Sequence, residues 1–259
     1  MANILILGAG TMGTAFSFPC SDNNHSVSIV GTHLENDFID QINTSKKHPA
    51  LGCEIPKNVK FSKFQKFKEE ADKKIDLIVV AVISKGIDWA SDEISKVIKN
   101  NVPILILTKG LSINNNNFEV LAHKMERLLK KNGVKEINIS AAGGPCLAKN
   151  LANKAHTAVV FANKDIKIAE KISKLVSTDY YHVSTSDDVV GVEACAAIKN
   201  IFSMAVGASQ GLCDAKQSKE KNYLNTAAAL LQESIYEMII FVEKLKGKKE
   251  TVIGLAGIG

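Results

Sequence analysis

The sequence predicts an α/β protein in which a doubly wound, mainly parallel sheet is followed by the first part of an all-helical second domain. Three observations carry this expectation. Six short runs of β-branched and aliphatic residues recur with helix-length amphipathic stretches between several of them, as expected for parallel strands covered on both faces. A glycine-rich turn directly follows the first run. From Val189 onward the apolar residues return only at helical spacing, so the chain is expected to divide into residues 1–186 and 187–259.

The strand candidates are NILILG (3–8), VSIV (27–30), DLIVVAV (76–82), PILILT (103–108), INISAA (137–142) and TAVVFA (157–162). Segments 11–22, 86–99 and 118–131 carry apolar residues every three or four positions and are expected as covering helices. The run NNNN at 114–117 reads as a polar loop without function. Beyond TDYYHVSTSDD, a helix over 192–206 contains only Glu193, Lys199, Asn200 and Ser203 as polar residues, and is expected to be buried on most of its circumference. A charged loop at 213–222 follows. A long helix at 225–246 then carries the stripe Leu231, Ile235, Met238, Ile239, Val242 and Leu245, expected to pack in the core.

Composition narrows the function classes. With 46% apolar and 23% charged residues the chain has the balance of a globular protein. The excess of 32 Lys and Arg over 27 Asp and Glu gives +5, spread over local runs such as KKNGVK and KLKGKK that suit solvated helix ends. That sign argues for a small anionic ligand and against nucleic acid. Cys20, Cys53, Cys146, Cys195 and Cys213 are scattered, with no C-x-x-C pair or His cluster, so no metal site and a reducing cytoplasm are expected. The N-terminus has no basic region and eighteen apolar residues nowhere follow one another, so neither secretion nor membrane insertion is expected.

The strongest local motif is GAGTMG, Gly8 to Gly13, after the first strand and opening a helix. Gly8 permits the tight turn, Gly10 lets a pyrophosphate approach the backbone, and Gly13 lets helix and strand pack closely, which makes the first domain a Rossmann-type dinucleotide site. Where NAD sites usually carry an acid, the second strand leads into Gly31, Thr32 and His33, with Glu35 two residues on. These groups suit a 2′-phosphate as well as a 2′-hydroxyl, so NAD or NADP is expected. Thr32 has a second reading as the cap of a helix from Leu34. LTKGLS puts Lys109 and Gly110 after the fourth strand, and SAAGGPCLAKN puts Gly143, Gly144 and Pro145 after the fifth. Each can be a plain turn. Lys199 either snorkels from a core helix or meets an anionic or carbonyl ligand, with Asn200 beside it as donor and acceptor.

Taken together, GAGTMG, HPALGCEIPKNV (48–59), TKG, GGPCLAK, VVGVEACAAIKN, the helix with N-x-x-A-A at 225–229 and E-M at 237–238, and GLAGIG resemble the bacterial and archaeal NAD(P)-dependent glycerol-3-phosphate dehydrogenases, in order and over the whole chain. The resemblance implies hydride transfer between NAD(P)H and dihydroxyacetone phosphate, supplying glycerol phosphate for phospholipids. It implies that Thr11, Met12, Thr32 and His33 touch the cofactor with Ala148 and Lys109 beside it, and that Lys109, Gly144 and Cys146 line the substrate. Lys199 is implied as the proton donor and acceptor. A related reductase of small keto acids is the alternative within the same architecture.

Three departures from the family pattern stand out. Cys146 takes the place of a usual Ser or Thr, Ala227 and Glu233 replace a usual Lys and Arg, and the GDL and Asn-Arg segments that follow in the family are absent. Read as written, the chain is therefore expected to be a truncated relative that binds NAD(P)H, turns over feebly, and self-associates through exposed helices.

Overall fold

The computed structural model describes residues 1–98, 101–215 and 224–259. The first half lays down β1 (Asn3–Leu7), α1 (Thr11–Asp22), β2 (Ser26–Val30), α2 (Asn36–Ser45), β3 (Val59–Ser62), α3 (Phe67–Ala71), β4 (Leu77–Val80) and α4 (Ile87–Ser95). It continues with β5 (Ile104–Ile106), β6 (Leu111–Asn114), β7 (Asn117–Val120), α5 (Leu121–Lys131), β8 (Ile139–Gly143), α6 (Ala148–Ala152), β9 (Thr157–Ala162), α7 (Ile166–Val176) and β10 (Tyr181–Ser186). After β10 come α8 (Val189–Ala215), α9 (Leu224–Lys244) and α10 (Lys249–Val252).

One sheet runs β3-β2-β1-β4-β5-β8-β9-β10, parallel throughout except for the antiparallel pair β8 and β9. Alternation of side chains along a strand explains why its runs are apolar without interruption. In β1, Ile4 and Ile6 enter one core, while Leu5 and Leu7 enter the other on the opposite face. The expected Rossmann-type architecture is present, with a helical region behind it.

Several elements differ from expectation. The NNNN run forms a hairpin, because Asn114 pairs with Asn117 and the two turn residues Asn115 and Asn116 take positive φ of 49° and 60°. That is the left-handed pair of a type I′ turn, which asparagine tolerates. The helix expected from 118 consequently begins at Leu121. The helix expected over 86–99 covers Ile87–Ser95, and Lys99 lies outside the described residues. Of the charged loop, residues 213–215 extend α8, while 216–222 lie outside the described residues.

Helix α8 is buried on all sides only in its first turns, from Gly191 to Ala196. Farther along, Ile201 and Met204 are 60% and 70% exposed, so the expectation of general burial over 192–206 fails there. Residues Val189–Gly211, with a mean hydropathy of 1.6, have the length and composition of a membrane span. The start of that segment packs in the core through Val189, Val192, Ala194 and Cys195. On α9 the expected stripe is buried at Met238 and Val242, whereas Leu231 is 48% exposed.

Asp188 fixes the entry to α8. Its carboxylate accepts from the Gly191 N–H (2.8 Å), the Lys248 N–H (2.9 Å) and the Thr251 hydroxyl (2.6 Å), tying α8 to α10.

Candidate active site

The register Leu7↔Val80, Val80↔Ile106 and Ile106↔Ala141 aligns the C-terminal ends of β1, β4, β5 and β8. The loops after them therefore emerge side by side, at the edge where open parallel sheets bind ligands. Gly8 there has φ +110°, and a Cβ on it would stand 2.6 Å from the Ala81 carbonyl oxygen. A Cβ on Gly13 would lie 2.4 Å from the Gly8 oxygen. One on Gly10 would meet no protein atom within 4 Å. The first and last glycines thus serve the fold, while the middle one opens the surface in front of α1, whose N-terminus has no side-chain cap. An open backbone at an uncapped helix N-terminus fits a pyrophosphate.

At the end of β2, Glu35 accepts from the N–H groups of Ala9 (3.3 Å) and Thr32 (2.6 Å). Helix α2 begins at Asn36, so Thr32 does not cap a helix from Leu34; its hydroxyl only receives the Leu34 N–H at 3.4 Å within a turn. His33 is exposed and sets its ring edge-on to Trp89, centroids 5.3 Å apart.

A cleft of about 670 Å³ lies between the sheet edge and the helical region. Lys109, Gly144, Cys146, Lys199 and Asn200 all line it, so five of the expected residues come together from β5, β8 and α8. The Thr108 hydroxyl donates to the Val82 carbonyl oxygen at 2.7 Å, pinning the loop that carries Lys109. Gly8, Gly10, Thr11, Met12, Gly13, Thr32 and His33 do not line this cleft and belong to the glycine loop and the end of β2. Ala148 opens α6, which packs against α1.

Charge in the cleft is set by burial and by two lysines. Lys199 is half-buried, and its Nζ donates to the Gly259 carbonyl oxygen at 2.9 Å. Burial lowers its pKa below the usual lysine value, and the nearby Lys109 charge lowers it further. Burial pushes the Cys146 thiol up to about 11 despite Lys109, so at neutral pH it is a neutral, weak donor. One turn and a half before Lys199, the carboxyl of the fully buried Glu193 accepts the Ala122 N–H at 2.9 Å, and burial raises its pKa to about 8.

Sequence reasoning missed other groups. Nothing in periodicity pointed to Ser203 or Ser234 as cleft residues, although both line it. His48, 1% exposed, accepts the N–H groups of Ala50 and Leu51 at Nδ1, each at 3.2 Å. Its only sequence signal was membership of the HPALG stretch.

Fold and comparisons together define an NAD(P)-dependent oxidoreductase, with a cleft lined by Lys109 and Lys199 at the sheet edge. Residues 3–169 match the family model for the NAD-dependent glycerol-3-phosphate dehydrogenase N-terminus, and residues 188–259 match the C-terminus model of the same family. The NADP(+)-dependent glycerol-3-phosphate dehydrogenase of Archaeoglobus fulgidus is 29% identical over 258 residues, 99% of this chain and 74% of that protein. A glycerol-3-phosphate dehydrogenase [NAD(P)+] of Clostridium tetani is 31% identical over 258 residues, covering 99% of this chain and 68% of that protein. The crystal structure of the Coxiella burnetii glycerol-3-phosphate dehydrogenase superposes with a TM-score of 0.82 at 27% identity, over 100% of this chain and 74% of that one. The chain belongs to the NAD-dependent glycerol-3-phosphate dehydrogenase family.

Proposed function

We propose that this chain transfers hydride between NAD(P)H and dihydroxyacetone phosphate, with Lys199 as the proton donor and Lys109 as a positive partner for the substrate. The observation that carries the reading is the joint presence of Lys199 and Lys109 in one cleft at the sheet edge shared with the glycine loop. Bound NAD(P)H supplies the hydride. Lys199 stabilises the charge developing on the substrate carbonyl oxygen and passes its proton to that oxygen, giving the alcohol; in reverse the neutral amine takes the proton back. Asn200 offers an amide donor and acceptor at the exposed side, while Gly144 and Cys146 shape the wall. Gly8, Gly10, Thr11, Met12 and Gly13 would hold the pyrophosphate, with Thr32 and His33 toward the adenosine and Ala148 near the cofactor.

In this reading residues 1–186 bind the dinucleotide and residues 187–259 contribute the proton donor. The product serves phospholipid synthesis in the cytoplasm. Homo-oligomer formation is supported by the exposed apolar residues Ile201, Met204, Leu224, Leu231 and Tyr236 on α8 and α9. A substrate panel followed by dihydronicotinamide absorbance tests the activity. Turnover confined to dihydroxyacetone phosphate supports it, and preference for small keto acids without phosphate overturns it.

A further inference from the structure

The turn after β2 brings an acid back to the strand end. The Glu35 N–H bonds the Thr32 carbonyl oxygen at 3.0 Å, closing a tight turn over 32–35. Gly31 suits this turn, since a Cβ there would crowd the Ile39 side chain at 3.0 Å and the Glu35 Cβ at 3.3 Å. Although Glu35 lies five residues past Val30, its carboxylate is thereby held between the glycine loop and the end of β2. Both backbone N–H groups are taken by Oε2, which leaves Oε1 without a hydrogen-bond partner among the described residues. Residues 31–40 contain Glu35, Asp37 and Asp40 and no Lys or Arg. Lys63, which reaches this segment, is paired with Asp40 at 2.6 Å.

We infer that Glu35 makes this chain select NAD(H) over NADP(H), its free carboxylate oxygen accepting from the adenosine ribose 2′-hydroxyl and repelling a 2′-phosphate. The inference rests on the dinucleotide reading of the glycine loop. A phosphate monoester carries about −1.5 to −2 charge at neutral pH, and this segment offers it no unpaired lysine or arginine. The 2′-hydroxyl, in contrast, is a neutral donor matched to a carboxylate. The Archaeoglobus relative is named NADP(+)-dependent, so the preference is a property proposed for this chain and not for its relatives at large.

Fluorescence titration of the full chain with NADH and with NADPH tests this without any need for turnover. NADH is expected to bind at least tenfold more tightly at low ionic strength, with the gap narrowing as salt screens the repulsion. Glu35→Gln keeps an oxygen for the Ala9 and Thr32 N–H groups while removing the charge, so it should weaken NADH a few-fold, strengthen NADPH, and bring the ratio close to one. Thermal melting of the variant confirms that the loop is still folded. NADPH binding equal to or tighter than NADH in the parent chain overturns the inference, as does a ratio unchanged by Glu35→Gln. Binding of neither nucleotide would overturn the dinucleotide site itself, a separate outcome.

Discussion

The Lys199 ammonium donates to the backbone carbonyl oxygen of Gly259 at 2.9 Å. The contact ties the amine to the GLAGIG segment, whose Gly257, Ile258 and Gly259 line the same cleft. Burial lowers the lysine pKa, the Lys109 charge lowers it further, and the nearby Cys195 offsets only part of this.

A pH profile follows from this. Glycerol phosphate oxidation requires neutral Lys199, so its kcat should rise with pH and level off at a midpoint below the ordinary lysine value; reduction should fall over the same range. Lys109→Met removes the smaller of the two causes, so the midpoint should move upward without returning fully to the ordinary value. A midpoint that does not move in Lys109→Met contradicts the coupling.

The three glycines of the loop should separate fold from binding. Gly10→Val places its side chain where no protein atom lies within 4 Å, so melting should be little changed while NADH affinity disappears. Gly13→Ala forces a Cβ to 2.4 Å from the Gly8 oxygen and should cost stability, by about 2 kcal/mol or more. Calorimetry beside a cofactor titration checks both, and intact NADH binding by Gly10→Val would reject the site.

Glu193 makes stability depend on pH. Its folded-state pKa of about 8 stands above the ordinary 4.5, so the folded chain holds this proton more tightly than the unfolded chain. The contribution is complete below pH 4.5 and is lost as pH rises towards about 8, at about 1.4 kcal/mol per unit of difference. Glu193→Gln keeps an oxygen for the Ala122 N–H and should flatten the dependence. Denaturant melts across this range check it; equal slopes in the parent and the variant would contradict it.

Much of this was legible in the residues. The uninterrupted apolar run of β1 predicts a strand buried on both faces because its alternate side chains enter two cores, and GAGTMG predicts its own turn because each glycine meets a separate steric demand. The hairpin at Asn115 and Asn116 was not legible from composition, since four identical polar residues hide which two take positive φ. Strand β10 was hidden because its inward positions alternate with polar ones, as in Tyr181 buried and His182 exposed at the sheet edge. Lys109, Cys146 and Lys199 each allowed a bland local reading, and only the alignment of strand ends brings them into one cleft. Glu35 was passed over because distance along the chain concealed a turn that returns it to β2.

Lys199→Ala, assayed for dihydroxyacetone phosphate reduction alongside an NADH titration, bears most directly on the proposed chemistry. Loss of the proton donor should lower kcat by roughly 100- to 10,000-fold while NADH affinity stays within about twofold of the parent. Near-parental kcat in a folded Lys199→Ala variant would contradict it and leave Lys199 as a lysine that merely snorkels from the edge of α8.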